Sequence, residues 1–427
     1  MIDRRTRQIL RYITRDLGSV ITPELSSPRA QFTAGAMKSL LEGLLTTNAD
    51  AAEAPPGCGL RELVALEDAA RPSSGNARDA AYRQSGAGMH EQSPHAESTA
   101  NPITSPLLAQ YLRDRPDYRW VADAQVRQAP GGFSKETYLA KLEGGGRTDE
   151  IVLRRDPLFS PLGSTVADEF PLLRALGPLG MTTPSALWLE GDPRHFGASV
   201  IAMARLPGSA DVAEWTGEPQ RAGRVIEQAA HLLATLHEPQ VLATYAPRPP
   251  IPGTAGLSPG EMVADLRHYW MGLGYSADRL VDCIFDWLEQ RAPRSFTRRA
   301  LLHGDFGFHN LLIHDGQITG LLDWEFCHVG DVAEDLAYAR PFVEKVAPWA
   351  QFEALYRRFG GAAVSHPCID FWGVFGILRI GLGCYATLRE VDRGNGCLDT
   401  KSAFVAQTYA RPFVVDAAKL ILQTQSA

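Results

Sequence analysis

The sequence predicts an α+β protein with a small sheet lobe followed by a larger helical lobe. Two observations predict it. Between about 106 and 206, short strand-like apolar runs alternate with glycine turns, whereas beyond Pro207 apolar residues recur at helical spacing. Strands grouped first and helices grouped after them are the pattern of an α+β architecture. A third observation sets off a helical N-terminal segment: residues 4 to 46 carry helical spacing, and the composition changes after them.

The elements follow in chain order. Ile9, Leu10, Ile13, Leu17 and Ile21 recur at three- and four-residue steps, as do Met37, Leu40, Leu41, Leu44 and Leu45, with Pro23 and Pro28 between the two sets. Residues 1–46 are therefore expected to be helical, with a homodimer through these helices as one use for them. Residues 47–105 are rich in Ala, Ser, Gly, Pro and Asn and short of large apolar side chains. Such a stretch buries too little surface to fold alone, so it is expected to be a partly disordered linker, with one short helix in LRELVALEDAA. Residues 106–206 make the sheet lobe. Strands are expected at Trp120–Val126, Thr137–Leu142 and Ile151–Arg155, a helix over 165–176, and two more strands in ALWLE and ASVIAMARL. Residues 207–427 make the helical lobe, with helices at 221–238, 260–291, 331–359 and 369–390. The most apolar stretch, 371–388, contains Arg379 and several glycines and fits a buried helix better than a membrane span.

Bulk properties exclude several classes. The formal net charge is -7, the pI is near 5.9 and there is no long Lys/Arg run, so no nucleic-acid partner is expected. The six cysteines make no Cys-x-x-Cys pair and read as scattered reduced thiols. No apolar signal region opens the chain. The expectation is a cytoplasmic protein with no membrane partner.

Three motifs carry chemistry. In PGGFSKETY, glycines between two strands let backbone N–H groups approach a phosphate, although the same unit is often only a hairpin. It is not a P-loop, because no Gly-Lys-Ser/Thr follows. The strand IVLRR can hold phosphate oxygens on Arg154 or Arg155, or be an edge strand with a solvated basic tip. Glu169, on the following helix, is a candidate partner for one of these arginines. Then comes LLHGDFGFHNLL with TGLLDWE. His303, Asp305 and His309 read as metal ligands, as parts of a phosphoryl-transfer site or as loop polarity. A hairpin read as LLIHD, GQ, ITGLLDW folds Asp323 back beside Asn310. An amide oxygen and a carboxylate are hard donors suited to Mg²⁺.

HGDFGFHN and LLDWE resemble the His-Gly-Asp-x-x-x-x-Asn and Asp-Trp/Phe-Glu signature of the aminoglycoside phosphotransferase and choline kinase-like family. The order over 120–340 also fits: glycine loop, basic strand, helix glutamate, hinge, catalytic loop, metal aspartate. IDFWGVFGILRIGLGCYA further resembles the branch of kinase-like domains associated with acyl-CoA dehydrogenases. The resemblance implies a two-lobed, protein-kinase-like fold and an enzyme that moves the γ-phosphate of ATP, with Mg²⁺, to a hydroxyl of a small organic molecule. Carried over by position, Asp305 is the catalytic base, Asn310 and Asp323 ligate Mg²⁺, and His303 braces the loop. Gly131, Gly132 and Ser134 lie over the phosphates. Met203, Ala204 and Leu206 form the hinge, the last two meeting adenine through their backbones. Arg154, paired with Glu169, stands where the wider pattern has lysine. Asp331 either supports the catalytic loop or caps a helix.

Arginine at the lysine position also motivates an alternative, a nucleotide-binding pseudokinase or regulatory module without turnover. As for the acceptor, acidic residues do not outnumber basic ones over 361–427. That argues against a polycationic aminoglycoside. If the apolar helix with Phe371, Trp372, Phe375, Ile377 and Leu378 lines the acceptor site, the acceptor is an apolar or mixed alcohol; if not, these side chains build the core.

Overall fold

The computed structural model describes residues 59–70, 102–129, 135–157, 164–244, 257–275, 278–393 and 400–425. The helices expected over 4–46, and with them the dimer reading, lie outside the described residues, as does the glycine turn with Gly131, Gly132 and Ser134.

Within the segment read as linker, α1 (Leu60–Ala70) is a docked helix. Its Leu63 and Val64 are buried among side chains of the helical lobe, and Glu67 and Asp68 pair with Arg411 and Lys419 at 3.0 and 2.6 Å. A short apolar stripe flanked by acids thus finds a partner more than 340 positions away, which local composition cannot show. α2 (Ser105–Arg113) was not separated from the strand region by sequence. Thr104 caps it, Pro106 starts it, and Leu108, Ala109 and Leu112 are buried against the sheet.

The sheet comprises β1 (Asp123–Gln128), β2 (Glu136–Gly144), β3 (Arg147–Arg155), β4 (Ala186–Glu190) and β5 (Val200–Ala204). All neighbours are antiparallel, in the order β1-β2-β3-β5-β4. Gly145 and Gly146, both at positive φ, turn β2 tightly into β3, so β3 begins earlier than the apolar run suggests. Between β3 and β4 lies α3 (Val166–Leu176), opened by a Thr165–Asp168 capping box. Its buried face carries Leu172, Leu173 and Leu176, and also Glu169.

The helical lobe opens with α4 (Pro219–Leu236). The stretch expected as one helix over 260–291 is two, α5 (Pro259–Leu273) and α6 (Arg279–Arg291). Gly274, at φ 69°, ends the first and the Asp278 carboxylate caps the second. Two short antiparallel pairings then build the site: β6 (Arg299–Leu302), β7 (Leu311–His314), β8 (Gln317–Leu321) and β9 (His328–Asp331), with β6 paired to β9 and β7 to β8. The turn between β7 and β8 is Asp315-Gly316, both at positive φ, one residue before the GQ read from sequence. The stretch 331–359 is also two helices, α7 (Val332–Val343) and α8 (Trp349–Arg358), because Pro348 forces its predecessor out of helical geometry.

Last come α9 (His366–Asp392) and α10 (Thr400–Thr424), packed along each other. By length and composition α9 is apolar enough to cross a membrane. Here, however, Phe371, Trp372, Phe375, Leu378 and Leu382 are fully buried within the lobe. Each such side chain contributes about 1.5–3 kcal/mol by leaving water. A second core runs from the sheet into the helical lobe, joining Val166, Leu172, Ile201 and Met203 to Leu301, Phe306 and Leu321. The two lobes therefore share a continuous apolar core.

Candidate active site

The loop after β6 is held from behind. Asp335, fully buried on the first turn of α7, accepts the backbone N–H groups of His303 and Gly304, both at 2.8 Å. Its other partner is His237 Nε2 at 3.1 Å, and His237 Nδ1 meets the Tyr356 hydroxyl at 2.8 Å. Burial works against the charged carboxyl, but the His237 hydrogen bond and the loop N–H groups outweigh it and hold Asp335 below its ordinary range. Gly304 turns at φ 78°, and a Cβ there would lie 2.3 Å from the Phe326 carbonyl oxygen, so only glycine fits.

His303 is buried with both ring nitrogens bonded. Nε2 donates to Leu322 O at 2.9 Å, which leaves Nδ1 to accept the Asp305 N–H at 3.2 Å. Asn310 Nδ2 donates to Asp305 twice, to the backbone oxygen at 2.9 Å and to Oδ2 at 2.8 Å. His309 Nε2 stands 3.5 Å from the same Oδ2. Oδ1 of Asp305 has no bond among the described residues. It is the oxygen left for a substrate proton.

Asp323 reaches the site through the β7–β8 hairpin. Leu322 N–H donates to Asn310 O at 2.8 Å, which places Asp323 beside Asn310. Asp323 itself adopts φ 63°, a left-handed conformation uncommon outside Gly but held more readily by Asp and Asn than by other side chains. That turn directs its carboxylate to Arg154 of β3, whose two nitrogens reach Asp323 Oδ1 at 2.6 Å and Glu169 Oε2 at 2.9 Å. Burial opposes ionisation of Asp323, yet Arg154 and Lys135 prevail and keep its carboxyl below the ordinary range.

Lys135 completes the cluster. Only 3% exposed, it sits at the foot of β2 with Nζ 3.0 Å from Glu169 and 3.3 Å from Glu325. Burial alone would lower its pKa; the two carboxylates reverse the sign and raise it. Two cations and three carboxylates thus meet between the lobes. Arg155 does not join them. Alternation sends it to the other sheet face, where Nε donates to Glu136 at 2.8 Å and a second nitrogen to Phe196 O at 2.8 Å.

The donor chemistry fits a hard divalent cation. Asn310 spends its amide nitrogen on Asp305, so its oxygen remains a donor, and Asp323 adds a partly exposed carboxylate next to it. Two protein ligands suit Mg²⁺, which keeps waters and phosphate oxygens for its remaining positions. No group of three or more His, Cys, Asp or Glu able to hold a metal exists among the described residues. Together with the bonded ring of His303, this removes the reading of His303, Asp305 and His309 as metal ligands.

Met203, Ala204 and Leu206 end the sheet lobe. Met203 is buried, and the Ala204 N–H is taken by Ser185 O at 2.9 Å, so of the Ala204 backbone only the carbonyl is left for a base. Leu206 leans over Gly320 of β8, where a Cβ would meet its Cδ1 at 2.7 Å.

Two alternatives left open by the sequence are met here. Asp331 does not support the catalytic loop: its carboxylate is consumed by the Ala333 and Thr297 N–H groups at 2.9 and 2.5 Å, an N-cap for α7. Asp335, one turn later, does that work. Most apolar side chains of α9 build the core, while Trp372 and Ile380 also join a lining beside Gly304. There Glu334, Tyr338, Gly373, Gly376 and Arg379 border a small cavity, with Arg379 paired to Glu334 at 2.6 Å and His328 to Glu334 at 3.1 Å. Sequence reading missed Lys135, Glu325 and Asp335. Only Glu325 carried a signal, as the third letter of the quoted DWE.

The sequence model described as the phosphotransferase enzyme family matches residues 125–372, more than half of the chain. Acyl-CoA dehydrogenase family member 10 of Mus musculus is 26% identical over 243 residues, covering 56% of this chain and 22% of that protein. Acyl-CoA dehydrogenase family member 11 of Gallus gallus is 27% identical over 232 residues, covering 51% and 28%. The match therefore takes in less than a third of either relative's length. A solved Ralstonia eutropha protein assigned as an aminoglycoside phosphotransferase superposes with a TM-score of 0.54 at 18% identity, covering 74% of this chain and 98% of that one. That likeness is one of fold: two lobes, α+β, protein-kinase-like.

Proposed function

This chain belongs to the phosphotransferase enzyme family, and from that premise we propose that it transfers the γ-phosphate of ATP to a hydroxyl of a small organic molecule. The observation that carries the reading is the convergence of Asp305, Asn310 and Asp323 beneath Arg154. Phosphoryl transfer asks for positioned charge and one oriented hydroxyl, not for covalent catalysis. Bound Mg²⁺ would neutralise the phosphates, held by the Asn310 oxygen and the Asp323 carboxylate. Asp305 would align the acceptor hydroxyl on Oδ1 and take its proton there. Asn310 and His309 fix the other oxygen, so the base cannot turn away. Arg154, anchored on Glu169, would face the phosphates from the sheet lobe. The Ala204 carbonyl and the Leu206 N–H would meet the adenine edge.

The acceptor side supports an uncharged or mixed alcohol over a polycation. The carboxylate beside Gly304, Glu334, is already paired with Arg379 and bonded to His328, so it offers little to a cation. Free thiols at Cys283, Cys327, Cys368 and Cys384 are in keeping with a reducing, cytoplasmic setting. To test the reading, the protein is incubated with MgATP and a panel of alcohols, beside Asp305→Ala. ADP formation that depends on one alcohol and on Asp305 supports it. A protein that binds no adenine nucleotide would sink it.

A further inference from the structure

We propose that Lys135 is a second phosphate-holding cation of this site, sharing with Arg154 a task that the wider kinase pattern gives to one strand lysine. The proposal rests on the ATP-dependent reading above and deepens it. Three observations lead there.

The first is position. Lys135 precedes β2 by one residue and follows directly on the glycine turn, and its Nζ spans the cleft from Glu169 of the sheet lobe to Glu325 of the helical lobe. It shares Glu169 with Arg154: Lys135 takes Oε1 and Arg154 takes Oε2. One buried carboxylate therefore anchors two cations side by side.

The second is the unequal grip on those cations. Arg154 is held short, at 2.6 and 2.9 Å, by two carboxylates. Lys135 donates hydrogen bonds of 3.3 and 3.4 Å to Glu325 and Ser164 O, and its 3.0 Å approach to Glu169 Oε1 is an ion pair without hydrogen-bond geometry. Charge-assisted N–H···O bonds settle near 2.7–2.9 Å, so the lysine's are slack. An ammonium on a flexible stem, loosely held, can turn toward an approaching anion at little cost, whereas a planar guanidinium held by two carboxylates meets an anion only from where it already stands.

The third is charge. The Lys135 ammonium is kept protonated by its two carboxylates despite burial at 3% exposure. Buried ion pairs are weak sources of stability, so fold support alone is a poor reason to bury a lysine between carboxylates of the two lobes.

The test separates phosphate binding from fold support. Adenosine, AMP, ADP and ATP, with Mg²⁺, are titrated calorimetrically into the full chain, into Lys135→Met and into Lys135→Arg. The expected result is an unchanged adenosine affinity in Lys135→Met, an ATP affinity lower by about tenfold or more, and partial recovery in Lys135→Arg. Lys135→Gln replaces Lys135→Met if the latter does not fold. An unchanged ratio of ATP to adenosine affinity overturns the proposal, whatever the melting temperature does. A wild-type chain that binds no adenine nucleotide removes the phosphotransferase reading itself and the proposal with it.

Discussion

The two sides of the cleft hold their charges differently. Behind the catalytic loop, Asp335, His237, His303 and Tyr356 are buried, and each polar atom has a partner within 3.2 Å. Across the cleft, Arg154, Lys135, Glu169, Asp323 and Glu325 form a cluster of unequal bonds, with Asp323 partly open to solvent. The first set is closed and has nothing left to bind. The second is ionic, spans both lobes and offers groups to a newcomer. A braced loop beside an exchangeable ion cluster is what phosphoryl transfer asks for: a fixed base and adaptable charge.

The comparison breaks first at Asp305. Asp305→Ala should lower kcat by roughly 10³-fold, within the range for a lost general base, with nucleotide affinity unchanged. Steady-state rates and ATP titration check both halves; a fall in affinity equal to the fall in rate would place Asp305 in the binding cluster instead. Next is the brace. Asp335→Ala strands two loop N–H groups and His237, so a loss of about 3 kcal/mol is expected in chemical denaturation, with kcat falling too. If stability holds, the closed network does not support the loop.

Asp323→Asn sharpens the other side. It removes the charge that holds both Arg154 and the expected metal, so a roughly tenfold rise in the Mg²⁺ requirement is expected, with small change in stability because the pair is partly exposed. Varying Mg²⁺ at saturating ATP reads it directly.

The smallest effect is one of pH. Burial pushes Asp156, which accepts the Val166 N–H at 3.0 Å at the start of α3, up to about 6. A carboxyl raised above its unfolded value costs stability when ionised, above about pH 6, and that cost fades as pH falls toward 4. Asp335, held low, keeps its contribution throughout that window. Asp156→Asn should therefore raise the melting temperature by about 2 °C at pH 7.5, with the gain shrinking below pH 6. A gain that is the same at pH 7.5 and 5 would remove Asp156 as its source.

What the sequence made legible follows the same division. Asp305, Asn310 and Asp323 lie within nineteen residues, on a loop and a hairpin whose geometry is local, so spacing alone brings them together. The sheet and its Gly145-Gly146 turn read well for the same reason. Lys135 did not, because a lysine at a strand end reads as solvated until Glu325, 190 positions away, is folded against it. Asp335 was hidden in another way: an acid in the first turn of a helix needs no further reason than the helix dipole. The helix breaks at Gly274 and Pro348 did carry local signals, and apolar periodicity on both flanks masked them. Docking of α1 depends on distant helical-lobe side chains that bury Leu63 and Val64, and on Arg411 and Lys419 near the far end of the chain.

The central claim is that Asp305 faces a hydroxyl that receives phosphate. Its most direct measurement is mass spectrometry of a cell metabolite extract incubated with the protein and MgATP, beside Asp305→Ala and a no-ATP control. The account predicts at least one alcohol that gains a single phosphate only with ATP and the intact Asp305. A chain that binds MgATP yet phosphorylates nothing in that extract, or that does so equally well without Asp305, would contradict it.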